Sequence, residues 1–441
     1  MYKSKLYKKA PVLIQELLIN IKALIYKALR ENYLYKNRFK ELLKNAQLSR
    51  EELTALNKKL LTEQLDYAKK HCDFYQSINS SKIEDFPVIL KDNIREMPSR
   101  FISNDKNIKY FFKSQTGGTT GKPLQLKANL MAIIEDHAQS ARQITWTGLK
   151  PTDRKLWLRA DLIVPLEQSN TPFWRRNIVD NMLMMSVYHI NANTIAQYVD
   201  KINSYKPQLI QAYPSSICLL AQLIDSSEHK IETPINAIIL SSESFTKEET
   251  ALIERVFNSK VYSWYGLSER VATVGTCRKG YQHLIEDYGF YEFDQNNQLL
   301  ATGFHNKAMP LIRYNTGDEF IDIDLNYSPC LCGLPFKKVG GIKGRAGDYL
   351  VASNGNKVTI FNHIPKDVTG LIELQLEQIH KLKLIAKVVV GSNFSMTSKA
   401  QLVKNVKHYL GQDMEVELIT VDRIPRTKSG KFRQVIYSVE P

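Results

Sequence analysis

Residues 114–123 read Ser114-Gln115-Thr116-Gly117-Gly118-Thr119-Thr120-Gly121-Lys122-Pro123. Three glycines let the backbone approach phosphate oxygens and aim N–H groups at them. The hydroxyls of Thr116, Thr119 and Thr120 add donors, and Lys122 adds charge. Such a loop suits a nucleotide polyphosphate. It is not the loop of ATPases and GTPases, because Thr116 stands where that pattern needs its first glycine and Pro123 follows the lysine, where a helix would have to continue. Taken alone, the stretch also reads as a solvated Gly/Thr turn between strands.

Around this loop the chain has the organisation of an α/β protein. From about residue 109, strand-like runs at 155–160, 208–212, 236–240 and 260–264 alternate with amphipathic segments, which predicts helices covering a largely parallel sheet. Residues 11–72 are helical in pattern, with Leu13, Leu17, Ile21, Leu24 and Ile25 on one stripe and a helix start at Ser49 to Glu52. This stretch reads as a helical layer (1–72) packed on the main domain, and its basic stem keeps a membrane-surface helix open as the alternative. After residue 340 a compact unit follows, with strand-like runs at 348–352, 371–376 and 382–390, an Asn354-Gly355 hairpin turn, a helix at 398–410 and a last strand at 415–421. The expected division is a large domain of sheets covered by helices, 1–343, and a small mobile α+β domain, 344–441.

The chain has 441 residues, long enough for two or three domains, and its 43% hydrophobic and 24% charged residues are those of an ordinary folded protein. Sixty Lys and Arg against 45 Asp and Glu favour an anionic partner without choosing one. The long uncharged stretches, 181–199 and 207–224, are broken by polar residues or proline, so neither reads as a spanning helix, and no signal peptide is read at the start. Five cysteines, an odd number, argue for a reducing, cytoplasmic setting. Cys72 and Cys218 lie in helical contexts and read as core. Cys277 and His283, with Cys330-Leu331-Cys332 about fifty residues later, offer three thiols and one imidazole, enough for a closed tetrahedral structural zinc site. Unlinked buried thiols with one core histidine remain the alternative.

Four further segments accompany the phosphate loop: Tyr265-Gly266-Leu267-Ser268-Glu269, Tyr314-Asn315-Thr316-Gly317-Asp318, Gly344-Arg345-Ala346-Gly347-Asp348 and Pro425-Arg426-Thr427-Lys428-Ser429-Gly430-Lys431. In this order the five segments resemble those of the adenylate-forming ligases, the superfamily of acyl-CoA synthetases, luciferase and adenylation domains. The finer texture, Ala212-Tyr213-Pro214-Ser215-Ser216, Ser241-Ser242-Glu243, residues 309–314 and Pro329-Cys330-Leu331-Cys332-Gly333, resembles the phenylacetate-CoA ligase branch, and within it the CapK-type proteins of capsular polysaccharide biosynthesis.

The resemblance implies ATP and Mg²⁺ as cofactors and an AMP-forming ligase reaction. Glu269 would hold Mg²⁺ against the phosphates, a hard cation suited to carboxylate oxygens. Tyr265 would lie beside adenine, Ser268 by the α-phosphate, and Asp318 with Arg345 at the ribose. Lys431 would be the catalytic point charge, reaching the site only when the small domain closes. Tyr213, Ser242 and Glu243 would line the pocket for the acid. Relatives usually carry Asp or Lys where Gly347 stands, which leaves the hinge residue open. The implied substrate is a small carboxylate, an amino acid or sugar acid, passed to an amine, hydroxyl or thiol; the acceptor is a nucleotide-sugar, a lipid-linked sugar or CoA. An aryl- or acyl-CoA ligase is the alternative within that chemistry. Nucleic acid is not the expected partner: the basic-aromatic runs at 2–9 and 33–40 are a weaker signal than five ordered segments. The expected location is cytoplasmic, with peripheral contact to the inner membrane face left open.

Overall fold

The computed structural model describes the whole chain except residues 3, 109–111, 116–123, 346–349, 359–363, 428–431 and 440–441; at 114, 115, 343–345 and 357 the description covers the backbone alone. The phosphate loop from Thr116 to Lys122 and Lys431 therefore lie outside the described residues, as does the side chain of Arg345.

Five helices lead the chain: α1 (Lys5–Lys9), α2 (Val12–Arg30), α3 (Tyr33–Asn45), α4 (Arg50–His71) and α5 (Lys91–Glu96). Helix α4 begins with a reciprocal cap, in which Ser49 Oγ accepts the Glu52 N–H at 3.1 Å and Glu52 Oε2 accepts the Ser49 N–H at 2.8 Å. Helix α2 packs on the main body through Gln15, Ile19 and Ala23, whereas Leu13, Leu17, Ile21, Leu24 and Ile25 face solvent. The layer lies on the main domain, but its leucine stripe points away from the core. A hairpin of β1 (Phe112–Gln115) and β2 (Gln125–Ala128) flanks the phosphate loop, and α6 (Leu130–Trp146) follows.

Among the described residues the main sheet has nine strands. Its centre is parallel: β3 (Lys155–Leu158) lies between β5 (Met182–Met185) and β6 (Leu209–Ala212), followed by β7 (Ala237–Ser241) and β8 (Val261–Gly266). Helices α7 (Ile195–Tyr205), α8 (Pro214–Asp225) and α9 (Lys247–Phe257) make the crossovers. All five residues of β7 and nine of α8 are buried, as expected for strands and helices enclosed on both sides. The wings are antiparallel. Beyond β5 lies β4 (Trp174–Asn177), and beyond β8 lie β9 (Thr273–Thr276), β10 (Gln282–Leu284) and β14 (Lys338–Val339).

A second, antiparallel sheet joins β11 (Gly289–Phe293), β12 (Gln298–Gly303), β13 (Tyr314–Ile321) and β15 (Gly341–Arg345). The carboxyl-terminal part contains β16 (Leu350–Val351), β17 (Lys357–Val358), β18 (Leu371–His380), β19 (Lys383–Val390), α10 (Met396–Leu410), β20 (Glu415–Thr420) and β21 (Val435–Tyr437). Its four-stranded sheet, in the order β20-β19-β18-β21, covers a separate core that includes Leu376, Leu384, Leu402 and Val406. Val435 adds a strand beyond the last run read from the sequence, pairing parallel with Leu376.

Candidate active site and metal cluster

Parallel strands β3, β6, β7 and β8 end on the same edge of the sheet, the place where open α/β sheets bind ligands. At the end of β8, the Tyr265 hydroxyl donates to Asp318 Oδ2 at 2.7 Å. Burial, then the Asp318 charge, raise the Tyr265 phenol well above its ordinary range, so it stays protonated as the donor. Asp318 sits on β13 after the left-handed Gly317 turn, and its backbone is in register with Arg345. Tyr265, Asp318 and the Arg345 backbone thus meet at one corner.

Glu269 follows on the turn after β8 and is buried, with Oε1 accepting from the Tyr314 hydroxyl at 2.9 Å. Its Oε2 has no hydrogen-bond donor among the described residues, which leaves an oxygen for a hard cation. The turn is held by Arg270, a non-glycine residue at φ 58°, whose Nη1 donates to the Ser268 carbonyl at 3.1 Å and whose Nε donates to Asp136 Oδ2 at 2.7 Å. Tyr288 donates to the other Asp136 oxygen at 2.7 Å. Ser268 is exposed at the rim. Sequence reading missed Tyr314, Arg270, Asp136 and Tyr288 as positioning groups; Tyr314 alone carried a signal, being the first residue of the segment that contains Asp318.

At the end of β7, Ser242 has φ 75°, a strained conformation for a side-chain-bearing residue. Glu243 next to it is not a free pocket carboxylate. Its Oε2 accepts the Ser215 N–H at 3.0 Å at the start of α8, and its Oε1 accepts the Phe432 N–H of the carboxyl-terminal part at 2.9 Å. One carboxylate therefore caps a helix and clasps the small domain to the large one.

Arg159, just past β3, is a further group that the sequence did not announce. Its guanidinium lies 4.5 Å from the Trp157 ring centroid and 5.3 Å from that of Tyr213, and Nη2 donates to Ser241 Oγ. Its Nε is buried with no partner, and no carboxylate lies within ion-pair distance among the described residues. An unpaired buried guanidinium N–H is costly. Here it faces the same sheet edge as Tyr213 and Ser242.

The antiparallel wing holds a different cluster. Cys277 directly follows β9, His283 lies on β10, and Cys330 and Cys332 sit on a turn closed by Gly333 at φ 81°. The ligand atoms of all four lie within 4.8 Å of one another. His283 Nδ1 lies 2.9 Å from the Phe336 carbonyl, so that nitrogen carries the proton, and Nε2 turns its lone pair toward Cys332 Sγ at 3.5 Å. Backbone N–H groups of Cys332 and Leu334 donate to the sulfurs of Cys330 and Cys332 at 3.5 and 3.4 Å. Burial, with the neighbouring thiols, pushes Cys332 up to about 12, so this thiol needs a compensating cation to ionise. The donor set and its N–H support fit a thiophilic metal.

Comparison with known proteins accords with this geometry. Residues 350–438 match the family model described as the CapK C-terminal domain. Over 99% of both chains the sequence is 27% identical to Protein CapK of Staphylococcus aureus. It is 24% identical to the phenylacetate-coenzyme A ligase of Thermus thermophilus, over 58% of this chain and 65% of that one. In three dimensions it matches 2-hydroxyisobutyryl-CoA ligase, in the postadenylation state with an acyl-AMP bound, with a TM-score of 0.65 at 16% identity, covering 89% of this chain and 91% of that one. The fold is that of the adenylate-forming ligases, with a large amino-terminal and a small carboxyl-terminal domain, and the chain is homologous to CapK and to a phenylacetate-CoA ligase.

Proposed function

We propose that the chain is an ATP-dependent, AMP-forming ligase that activates a small carboxylate at the carboxyl edge of the main sheet, for transfer during surface-polysaccharide assembly. The observation that carries this reading is the corner where Tyr265 and Glu269 of one segment meet Tyr314 and Asp318 of another, with Tyr265, Glu269 and Asp318 each already expected at a nucleotide. A carboxylate oxygen of the acid attacks the α-phosphorus of ATP, the bond to the β-phosphate oxygen breaks, and pyrophosphate leaves. An acceptor amine, hydroxyl or thiol then attacks the acyl carbon, loses its proton, and AMP departs.

In this reading Asp318 accepts the ribose hydroxyls and Tyr265 flanks adenine. Thr116 to Lys122 cradle the phosphates, and Ser268 lies near the α-phosphate. Glu269 would hold Mg²⁺, which supplies charge neutralisation on the phosphates. Lys431 precedes Phe432, whose N–H is clasped by Glu243; this supports a lysine delivered to the reacting carboxylate when the small domain docks. Arg159 would pair with an anionic or hydrogen-bonding group at the far end of the acid. Adjacent strands lie about 4.8 Å apart, so three intervals put it about 14 Å along the edge from β8. Cys277, His283, Cys330 and Cys332 would hold a structural zinc ion, since four protein ligands leave no open position. The role in polysaccharide assembly and the nucleotide-sugar or lipid-linked acceptor rest on the resemblance of the sequence segments to the CapK-type proteins of capsular polysaccharide biosynthesis. Use of ATP and the unpaired cysteines support a cytoplasmic setting.

The test is pyrophosphate exchange into ATP with Mg²⁺, screened over amino acids, uronic acids, aryl acids and short fatty acids. Lys431→Ala should lower exchange about a hundredfold or more; an unchanged rate removes the lysine from its role, and silence with every acid overturns the ligase reading. Similarity to the Thermus enzyme favours an acyl-CoA ligase as the second reading. AMP release that depends on CoA selects it, and release that depends on an amine or sugar hydroxyl selects the first.

A further inference from the structure

Helix α2 is inside out. Its buried residues are Gln15, Ile19 and Ala23, and Gln15 spends its amide on the Tyr7 and Ala10 carbonyls and on Arg175. Leu13, Ile14, Leu17, Ile21, Leu24 and Ile25 are all exposed, with Leu13 at 78% and Leu24 at 57%. At 100° per residue these six fall within an arc of about 120° that contains no charged residue. A contiguous apolar face of this kind marks a contact surface.

What surrounds the face selects its partner. Lys22 stands at one margin, its ammonium 4.6 Å from the Tyr2 ring centroid and 5.5 Å from that of Tyr26. Lys27 stands at the other, held by the Val179 carbonyl at 3.0 Å. The one acid within α2, Glu16, is turned inward and accepts the Arg176 N–H at 2.8 Å. Helix α1 adds Lys5, Lys8 and Lys9 around Leu6, which is 80% exposed. The first 45 residues hold eleven Lys and Arg against three Glu, a surplus of eight in a chain whose whole surplus is fifteen. An isologous contact with a second copy would bring these basic margins against themselves. An anionic bilayer instead offers hydrocarbon to the face and phosphate to its margins. No described helix is long and apolar enough to cross a membrane, so the geometry is that of a helix lying in the surface.

We propose that α2 docks the protein on an anionic membrane surface, with its leucine face in the acyl boundary and the lysines of α1 and α2 at the headgroups. This docking stands apart from the ligase reading and survives its failure. The experiment is flotation of the full chain with vesicles of phosphatidylcholine alone and of phosphatidylcholine with about a third phosphatidylglycerol. The protein should float with the anionic vesicles, and at least about tenfold more weakly with the neutral ones. Leu17→Glu with Ile21→Glu should cut flotation at least about tenfold with little change in the thermal midpoint, because both side chains are exposed on the face turned away from the core. Lys5→Gln, Lys8→Gln and Lys9→Gln together should weaken binding and flatten its salt dependence. Wild-type protein that stays unbound overturns the proposal, as does a Glu variant that floats like wild type. A dimer that the Glu pair dissociates, with no flotation, would assign the face to a second copy.

Discussion

The two sides of the main sheet are built to opposite rules. On the antiparallel wing, polar groups close on one another: four ligand atoms converge, their N–H supports are in place, and the buried Arg142 guanidinium grips both oxygens of Asp287 at 2.7 and 2.8 Å. Arg142 also stacks against Trp146 and Phe336, which adjoin His283. On the parallel edge the groups are left open: among the described residues Arg159 Nε has no partner and Glu269 keeps one oxygen without a donor, and Ser242 sits at φ 75°. A closed polar set serves stability: Arg142 and Asp287 satisfy each other, and four converging protein ligands would leave a metal no open position. An open one carries a cost in the free protein that a bound ligand can recover. Variants on the two sides should therefore separate activity from stability in opposite directions.

The largest effect should come from the open edge. Glu269→Gln keeps the Tyr314 hydrogen bond but removes the charge, and should lower adenylate formation about a hundredfold or more with the melting midpoint unchanged. A parallel loss of stability would make Glu269 a packing residue and dissolve the contrast. On the closed wing, if the cluster holds zinc as proposed, Cys332→Ala should release it, detected by a chromogenic chelator. Loss of a metal ranks with changes of about 4 kcal/mol, or about 8 to 16 °C in the midpoint. Residual activity below that midpoint should persist. Purified protein without zinc and with an unaltered midpoint would refute the metal reading.

Much of this contrast was legible in the sequence, but unevenly. The parallel strands 155–158, 209–212, 237–241 and 261–266 lie within or beside the runs that hydrophobic patterning predicts. Strands β4 and β5 escaped; β4 hides a buried arginine, Arg175, whose Nε donates to Gln15 of α2. Long-range satisfaction of that kind has no local pattern. The face of α2 was misleading for a related reason: periodicity identifies an apolar stripe but not which side the protein lies on. In the site, most residues within multi-residue segments were found, Tyr314 excepted, and lone ones were not. Tyr265, Glu269 and Asp318 come with neighbours that mark them, whereas Arg159 is a single arginine after a strand. Glu243 was found, but its inter-domain contact was not, since Phe432 lies 189 positions away.

Arg159 gives a smaller, more specific test of the open edge. Replacing it with Gln keeps length and some hydrogen bonding but removes the charge. If the guanidinium recognises a second anionic group of the acid, KM should rise about ten- to a hundredfold for an acid carrying that group, the scale of one charge-assisted hydrogen bond. The kcat should hold, and acids without the group should show little change. A fall in kcat for every acid would instead place Arg159 beside the reacting carboxylate.

The smallest effect belongs to the closed wing and is read by pH. Burial alone would raise the Asp287 carboxyl, but Arg142 and the Asn45 amide outweigh it and hold it at about 2. Its folded value lies below the unfolded one of about 3.9. The pair's contribution is therefore complete above about pH 5 and is lost as pH falls toward 2, because the unfolded chain takes up the proton first. The loss amounts to about 2 kcal/mol across that window. Asp287→Asn should remove this part of the acid sensitivity while lowering stability at neutral pH, since Arg142 is then left buried without its counter-charge. Denaturant titrations at a series of pH values would show the variant's curve running flatter between pH 5 and 2. A curve parallel to wild type would mean that other carboxylates govern acid unfolding and that the wing is held by its Cys/His cluster and packing rather than by this pair.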